Sequence, residues 1–278
     1  MLARLDNSVI FKKLFTDREV LQAFVKDVTG ATIDPVTIET EKSFAPPIGA
    51  VDIKIDIFAD DPAHRLIVEI QRVKYDYHYD RFLYYQNAAI MELQRSHTQY
   101  KLDKTVYTIV WLTAKDDALP HDLITTRLAS ETSGGASVPL YPHKLFFLNP
   151  NYRSDQTSEG IRDWLELVFE SIAHPDAPHL NTARSIIRKA TGLIETDGLT
   201  PTERRLAMED QDYEDHLALR EEKGRQEGRE EGREEGREEG ERAAKEAIAR
   251  NLLAQGVAMA VIAAATGLTE TEIAQLHF

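Results

Sequence analysis

Apolar and polar residues alternate along residues 51–58 (VDIKIDIF) and again along 66–73 (LIVEIQRV), the period-2 signature of two half-buried strands. Between them, Asp60-Asp61-Pro62-Ala63-His64 carries turn chemistry, with Pro62 able to pre-set φ at the second turn position. A loop over residues 61–64, with Asp60 facing Arg65, sets Asp56 opposite Glu69 and Lys54 opposite Gln71. Side-chain direction flips at every strand residue, so Lys54, Asp56, Glu69 and Gln71 are expected on one face. Val51, Ile53, Ile55 and Ile57 are expected on the other, with Leu66, Val68 and Ile70.

Helical spacing frames this hairpin. Phe11, Leu14, Phe15, Leu21, Phe24, Val25 and Val28 recur on one stripe of residues 8–28, with a break expected near Thr16-Asp17 and an end at Gly30. Residues 32–41 predict a short strand, and residues 43–49 a loop into the hairpin. Residues 75–95 predict a helix with Tyr77, Arg81, Tyr84 and Tyr85 on one stripe. That stripe is either core packing or an Arg and tyrosine edges facing a phosphate backbone. The run KTVYTIVWL at 104–112 reads as a buried central strand. Residues 123–129 and 144–148 are further strands, and helical patterns follow over 157–169, 180–194 and 202–219. The succession predicts an α/β domain with a mixed sheet, followed by helices.

The tail breaks this pattern. Gly224, Gly228, Gly232, Gly236 and Gly240 recur every four residues. Glycine costs about 1 kcal/mol against alanine inside a helix, and a Glu–Arg pair at i,i+3 returns only about 0.2–0.5 kcal/mol. A marginal solvated helix follows, serving as a spacer or as a surface through which two copies associate. Beyond it, residues 243–254 and 257–265 predict two helices. Thr269-Glu-Thr-Glu272 is a capping box opening a third. This three-helix pattern is like a helix-turn-helix, although its last two helices carry almost no Arg or Lys for reading a major groove.

Composition narrows the chemistry. The chain of 278 residues has no cysteine, which removes disulfides, thiolate metal sites and cysteine nucleophiles. No apolar run approaches the ~20 residues of a membrane span, and the N-terminus lacks a signal-peptide pattern, so a cytoplasmic location is expected. A net charge of −14 argues against a broad basic nucleic-acid surface, so any DNA contact needs a local basic strip or a metal ion. Asp56 opposite Glu69 places two carboxylates about 5 Å apart at the backbone, unfavourable unless a cation lies between them. Mg²⁺, with Mn²⁺ as a substitute, takes oxygen ligands and keeps several waters, so two carboxylates suffice. A water acidified by the metal would attack a phosphodiester. Gln71 would orient that water or a phosphate oxygen, and Lys54 would offset developing negative charge.

The hairpin motif D-x(12)-E-x-Q, with IDIFAD and LIVEIQ, resembles the PD-(D/E)XK nuclease superfamily, and within it the Rpn branch of recombination-promoting nucleases, also described as putative transposases. NSVIFKKLFTDREVLQAFVKDV, the Tyr77–Arg81–Tyr85 helix, GREEGREEG, AIARNLLAQG and IAAATGLTETEIAQL extend the resemblance over most of the chain. It implies a restriction-endonuclease-like α/β core, a central mixed sheet flanked by helices, with a helical C-terminal extension. The expected parts are a nuclease core over 1–150, a helical segment packed on it over 151–220, a charged linker or helix over 221–242, and a small helical module over 243–278. The implied activity is metal-dependent DNA cleavage promoting recombination, with Asp56 and Glu69 as ligands and Gln71 in the usual Lys position. Lys12 and Lys13 of FKKLF join Arg81, Tyr77 and Tyr85 as candidate DNA contacts. Ser8 stands where this branch commonly has Asp. Asp6 lies on a different helix face, and Glu39 or Glu41 is the remaining candidate for a further ligand. The alternative is a degenerate nuclease fold that tethers DNA or a partner without cleaving it.

Overall fold

The computed structural model describes residues 1–44, 53–72, 78–93, 102–128 and 130–276. The first amphipathic stretch folds as two helices. Asn7 opens α1 (Ser8–Phe15), its side-chain oxygen accepting from the N–H groups of Val9 and Ile10. The chain turns extended at Asp17, which caps α2 (Arg18–Thr29) by accepting from the Val20 N–H. Gly30 closes α2 at φ 78°, a left-handed conformation open to glycine without steric cost.

Six strands follow: β1 (Thr37–Phe44), β2 (Ile53–Asp60), β3 (His64–Gln71), β4 (Thr105–Leu112), β5 (Leu123–Arg127) and β6 (Lys144–Leu148). They form one mixed sheet in the order β1-β2-β3-β4-β6-β5. β3, β4 and β6 run parallel in the centre, and β1, β2 and β5 pair antiparallel at the edges. The hairpin register places Asp60 opposite Arg65, as the turn chemistry predicts. β1 starts later than the sequence pattern suggests and runs on to Phe44, because Pro35 has no N–H and pairing opens only at Thr37.

The sheet is covered on both faces. On one lie α1, α2, α4 (Glu159–Ala173) and α5 (Ser185–Ile194), whose apolar stripes meet Ile57, Val68, Ile109 and Trp111. Phe24 stacks on Trp111 at 5.5 Å between centroids and meets Trp164 edge-on at 5.5 Å. On the other lies α3 (His78–Glu92), through Tyr85, Ala88 and Ala89 against Phe58 and Ile67, and through Phe82 against Val110 and Phe147. Arg65, buried on β3, ties α3 down by donating to the Ala89 carbonyl and the Glu92 carboxylate. The fold is thus an α/β sandwich around a mixed sheet.

A capping box at Thr200 and Glu203 opens α6, with Pro201 at its first position. α6 (Pro201–Ala254) is one continuous helix through all five repeat glycines. Exposed pairs such as Lys223–Glu227 and Arg237–Glu241 support it, and together they offset only part of the glycine cost. The chain divides into two compact units, Met1–Tyr213 and Glu214–Phe278. In the second, the end of α6 packs with α7 (Met259–Thr266) and α8 (Glu270–Gln275) around Ala249, Ile262, Leu268 and Ile273. The predicted capping box at Thr269 and Glu272 is formed. Among the described residues no helix is long and apolar enough to cross a membrane.

One carboxylate sets the hairpin turn. Asp61 accepts from the backbone N–H groups of Asp34 (3.0 Å), Ala63 (2.7 Å) and His64 (2.6 Å). Burial alone would raise its pKa, but these bonds outweigh burial and hold it below the ordinary value. A group depressed in the folded state adds stability above its unfolded pKa of about 3.9, lost as pH falls through the folded value. Asp61→Asn should therefore cost about 1–3 kcal/mol at pH 7, measured by urea denaturation. The gap from wild type should narrow as pH falls below the unfolded value of about 3.9 and close once it has passed the lower folded value.

Candidate active site at the parting of β2 and β3

The β2–β3 ladder ends at Ile57 opposite Val68. One residue further on, the two acids take over its hydrogen bonds. The Glu69 carboxylate accepts from the Asp56 N–H at 2.9 Å, and the Asp56 carboxylate accepts from the Ile70 N–H at 3.1 Å. Each acid thus satisfies a donor on the opposite strand that a ladder carbonyl would otherwise take. This reciprocal exchange holds two like charges side by side where the strands part. Glu69 is 3 % exposed and the Asp56 carboxylate 23 %.

Their electrostatics are under tension. Burial and then the neighbouring Asp56 charge push Glu69 well above the ordinary carboxylate range. Burial raises Asp56 too, against the pull of the Ile70 N–H, Lys12, Arg81 and Arg72. Lys12 Nζ lies 3.9 Å from Asp56 Oδ1.

Lys54 does not join the acids and Gln71 on one face, as strict alternation would require. β1 and β2 both switch faces at this level. Glu41 has φ 56°, and the register runs on from Thr40–Ile57 to Lys42–Ile55 on either side of Glu41 and Asp56. As a result Glu39 and Lys42, three residues apart, form an ion pair at 3.0 Å on one side of the sheet. Ile53 and Ile55 pack with Phe58 and Ile67 under α3, while Ile57 packs with Leu66, Val68 and Ile70 on the α1 side. A left-handed non-glycine residue costs on the order of 1–3 kcal/mol and is often found at functional sites. Lys54 is 63 % exposed and pairs with Glu41 at 2.8 Å. Glu41 also takes Lys12 at 2.8 Å, and these ammonium groups, Lys12 first, hold its pKa down to about 2.

The remaining predicted residues divide. Gln71 is buried, and its side-chain oxygen accepts from Arg81 at 2.7 Å. Arg81 lies over the rings of Phe82 and Tyr85. Tyr85 is buried among the α3 core residues, so its ring packs the core instead of lining an open face. Lys13 points away from the acids to Glu203, at 2.6 Å. Tyr77 lies outside the described residues. Asp210 escaped the sequence reading. From α6 it accepts from the Ser8 N–H (3.0 Å), the Ser8 hydroxyl (2.6 Å) and Arg72 (2.8 Å), joining the start of α1 to the end of β3. No local pattern signals a contact made across 202 residues of chain.

The donor set suits a hard divalent ion. Asp56 Oδ1 and Glu69 Oε2 remain without a hydrogen bond among the described residues, because each carboxylate commits only its other oxygen to a backbone N–H. No group of three or more acidic, His or Cys side chains is placed for a metal among those residues. An ion here would keep several waters, the habit of Mg²⁺. Without metal, the buried like charge is a liability. Glu69→Gln keeps the acceptor for the Asp56 N–H and removes that charge. It should raise the metal-free stability by about 1 kcal/mol, or roughly 2–4 °C in a thermal melt with EDTA. A melting point at or below that of wild type would contradict this account.

Comparison with known proteins bears on the second unit. Residues 242–277 match the family model described as the Rpn/YhgA-like nuclease family, C-terminal HTH domain. No curated protein and no solved structure gives a match to the chain. The matched segment covers the end of α6 with α7 and α8, the module that packs around Ile262 and Ile273. The match thus likens the C-terminal module to the HTH domain of the Rpn/YhgA-like nuclease family.

Proposed function

We propose that the chain is a divalent-metal-dependent DNA endonuclease whose breaks promote recombination. The observation that carries this reading is the reciprocal Asp56–Glu69 pair, one acid buried and one half-buried, each with one oxygen free of hydrogen bonds among the described residues. Asp56 and Glu69 would hold Mg²⁺, or Mn²⁺ in its place. When bound, the ion would polarise a phosphoryl oxygen and lower the pKa of a water. The HTH domain match supports DNA as the partner.

The protein's own groups have separable tasks. Each acid keeps its orientation through the opposite strand's N–H, so the ligand oxygens are pre-aimed. Lys12, held by Glu41 and facing Asp56, partly compensates the acids before metal arrives and lies where a DNA phosphate would approach. The protein's net charge of −14 repels DNA at long range, so engagement depends on local cations such as Lys12 and on the metal.

Supercoiled plasmid incubated with the full chain and Mg²⁺ should be nicked, and Asp56→Ala or Glu69→Ala should remove that activity while retaining a cooperative melt. Millimolar Mg²⁺ should also raise the wild-type melting temperature by mass action on the folded state. Nicking by Asp56→Ala at the wild-type rate would overturn the proposal. No nicking together with no metal-induced shift would favour a DNA-tethering protein instead.

A further inference from the structure

Arg81 has more hydrogen-bonding capacity than the described residues use. A guanidinium carries five N–H donors in a fixed fork. Among the described residues, Arg81 spends one of them, on the Gln71 side-chain oxygen at 2.7 Å. Its Nε is buried with no hydrogen-bond partner. Its planar face lies over Phe82 at 4.8 Å and Tyr85 at 5.6 Å, which fixes the orientation of the fork. Leaving donors of a partly buried cation unmade is unfavourable, so an acceptor from outside the protein is expected there.

The place of the fork narrows what that acceptor is. The Arg81 charge is felt by both Asp56 and Glu69, yet it forms an ion pair with neither. The cation therefore stands near the acids with a gap between. Gln71 explains the gap. It lies two residues after Glu69 on β3, on the side facing α3, and holds the fork through its carbonyl oxygen. A neutral acceptor there anchors the guanidinium without discharging it, as a carboxylate would. An anion with several oxygens fits between the fork and a metal held by the acids, and the phosphodiester group has that chemistry.

We propose that Arg81 grips the scissile phosphate, and that Gln71 is its positioning residue, holding the guanidinium clear of Asp56 and Glu69. Gln71 then orients no water, and the positive charge at the reaction centre comes from α3 and not from position 71. This assignment rests on the nuclease reading above. It deepens that reading by naming the group that binds the substrate phosphate.

The test is a double-mutant cycle on the full chain, scored as plasmid nicking at saturating DNA and Mg²⁺, with a thermal melt for each variant. Arg81→Ala should lower the maximal rate about 10²–10³-fold, the loss seen when one donor to a developing oxyanion is removed. Gln71→Ala should lower it about 10-fold or more, as loss of an outer orienting partner does. Arg81→Ala/Gln71→Ala should be no slower than Arg81→Ala alone, because Gln71 acts through Arg81. Melting temperatures close to wild type would separate this from a packing defect. Should Arg81→Ala fail to fold, Arg81→Lys keeps stem and charge, loses the fork, and should still fall well below wild type. A nicking wild type with Arg81→Ala or Arg81→Lys at its full rate would overturn this assignment alone. So would a Gln71→Ala loss that persists undiminished in the Arg81→Ala background. A wild type that does not nick would overturn the nuclease reading and this assignment together.

Discussion

The exchange of backbone hydrogen bonds between Asp56 and Glu69 is the constraint on which the site depends. Two carboxylates of like charge do not settle side by side in a protein interior unaided. Here each is pinned by an N–H of the strand opposite, at the point where the β2–β3 ladder ends. The same two bonds close the ladder and aim the acids. What they do not supply is charge balance, since Lys12 stands 3.9 Å away and is already engaged by Glu41. On the proposed reading, a divalent cation would complete that charge balance.

The rest of the first unit supports that arrangement. The face change at Glu41 frees β2 from strict alternation, so that Asp56 can turn toward Lys12 on α1 while Glu69 and Gln71 face Arg81 on α3. Phe15, Phe24, Trp111 and Trp164 lock α1 and α2 to the sheet on one side, and Phe82 with Phe147 lock α3 on the other. Asp210 brings the first turns of α6 to Ser8 and Arg72, so the helix that continues into the charged repeat also braces the edge of the site.

Much of this was legible in the sequence. The hairpin turn, the central strand over Thr105–Leu112, the β6 strand and the break between α1 and α2 follow from periodicity and capping chemistry alone. The facing of Asp56 and Glu69 followed from counting residues across the turn. What periodicity could not show was its own failure. A left-handed Glu41 is no more visible in TEKSF than a regular strand residue, so Lys54 was placed with the acids although it lies with Glu41. Tyr85 and Arg81 share a predicted stripe, yet the ring packs the core while the guanidinium reaches Gln71. The glycine repeat argued for a marginal helix, and α6 runs unbroken through it from Pro201 to Ala254. Asp210 belongs to contacts made only once the chain is folded, and no spacing encodes it.

The central claim is that the paired acids form a divalent-cation site. Equilibrium binding of Mn²⁺ to the full chain, followed by the loss of its free-ion electron paramagnetic resonance signal, tests it without requiring turnover. Wild-type protein should take up Mn²⁺ at a site that both Mg²⁺ and the Glu69→Gln change abolish. Mn²⁺ uptake unchanged in Glu69→Gln, or none in wild type at millimolar metal, would contradict the account.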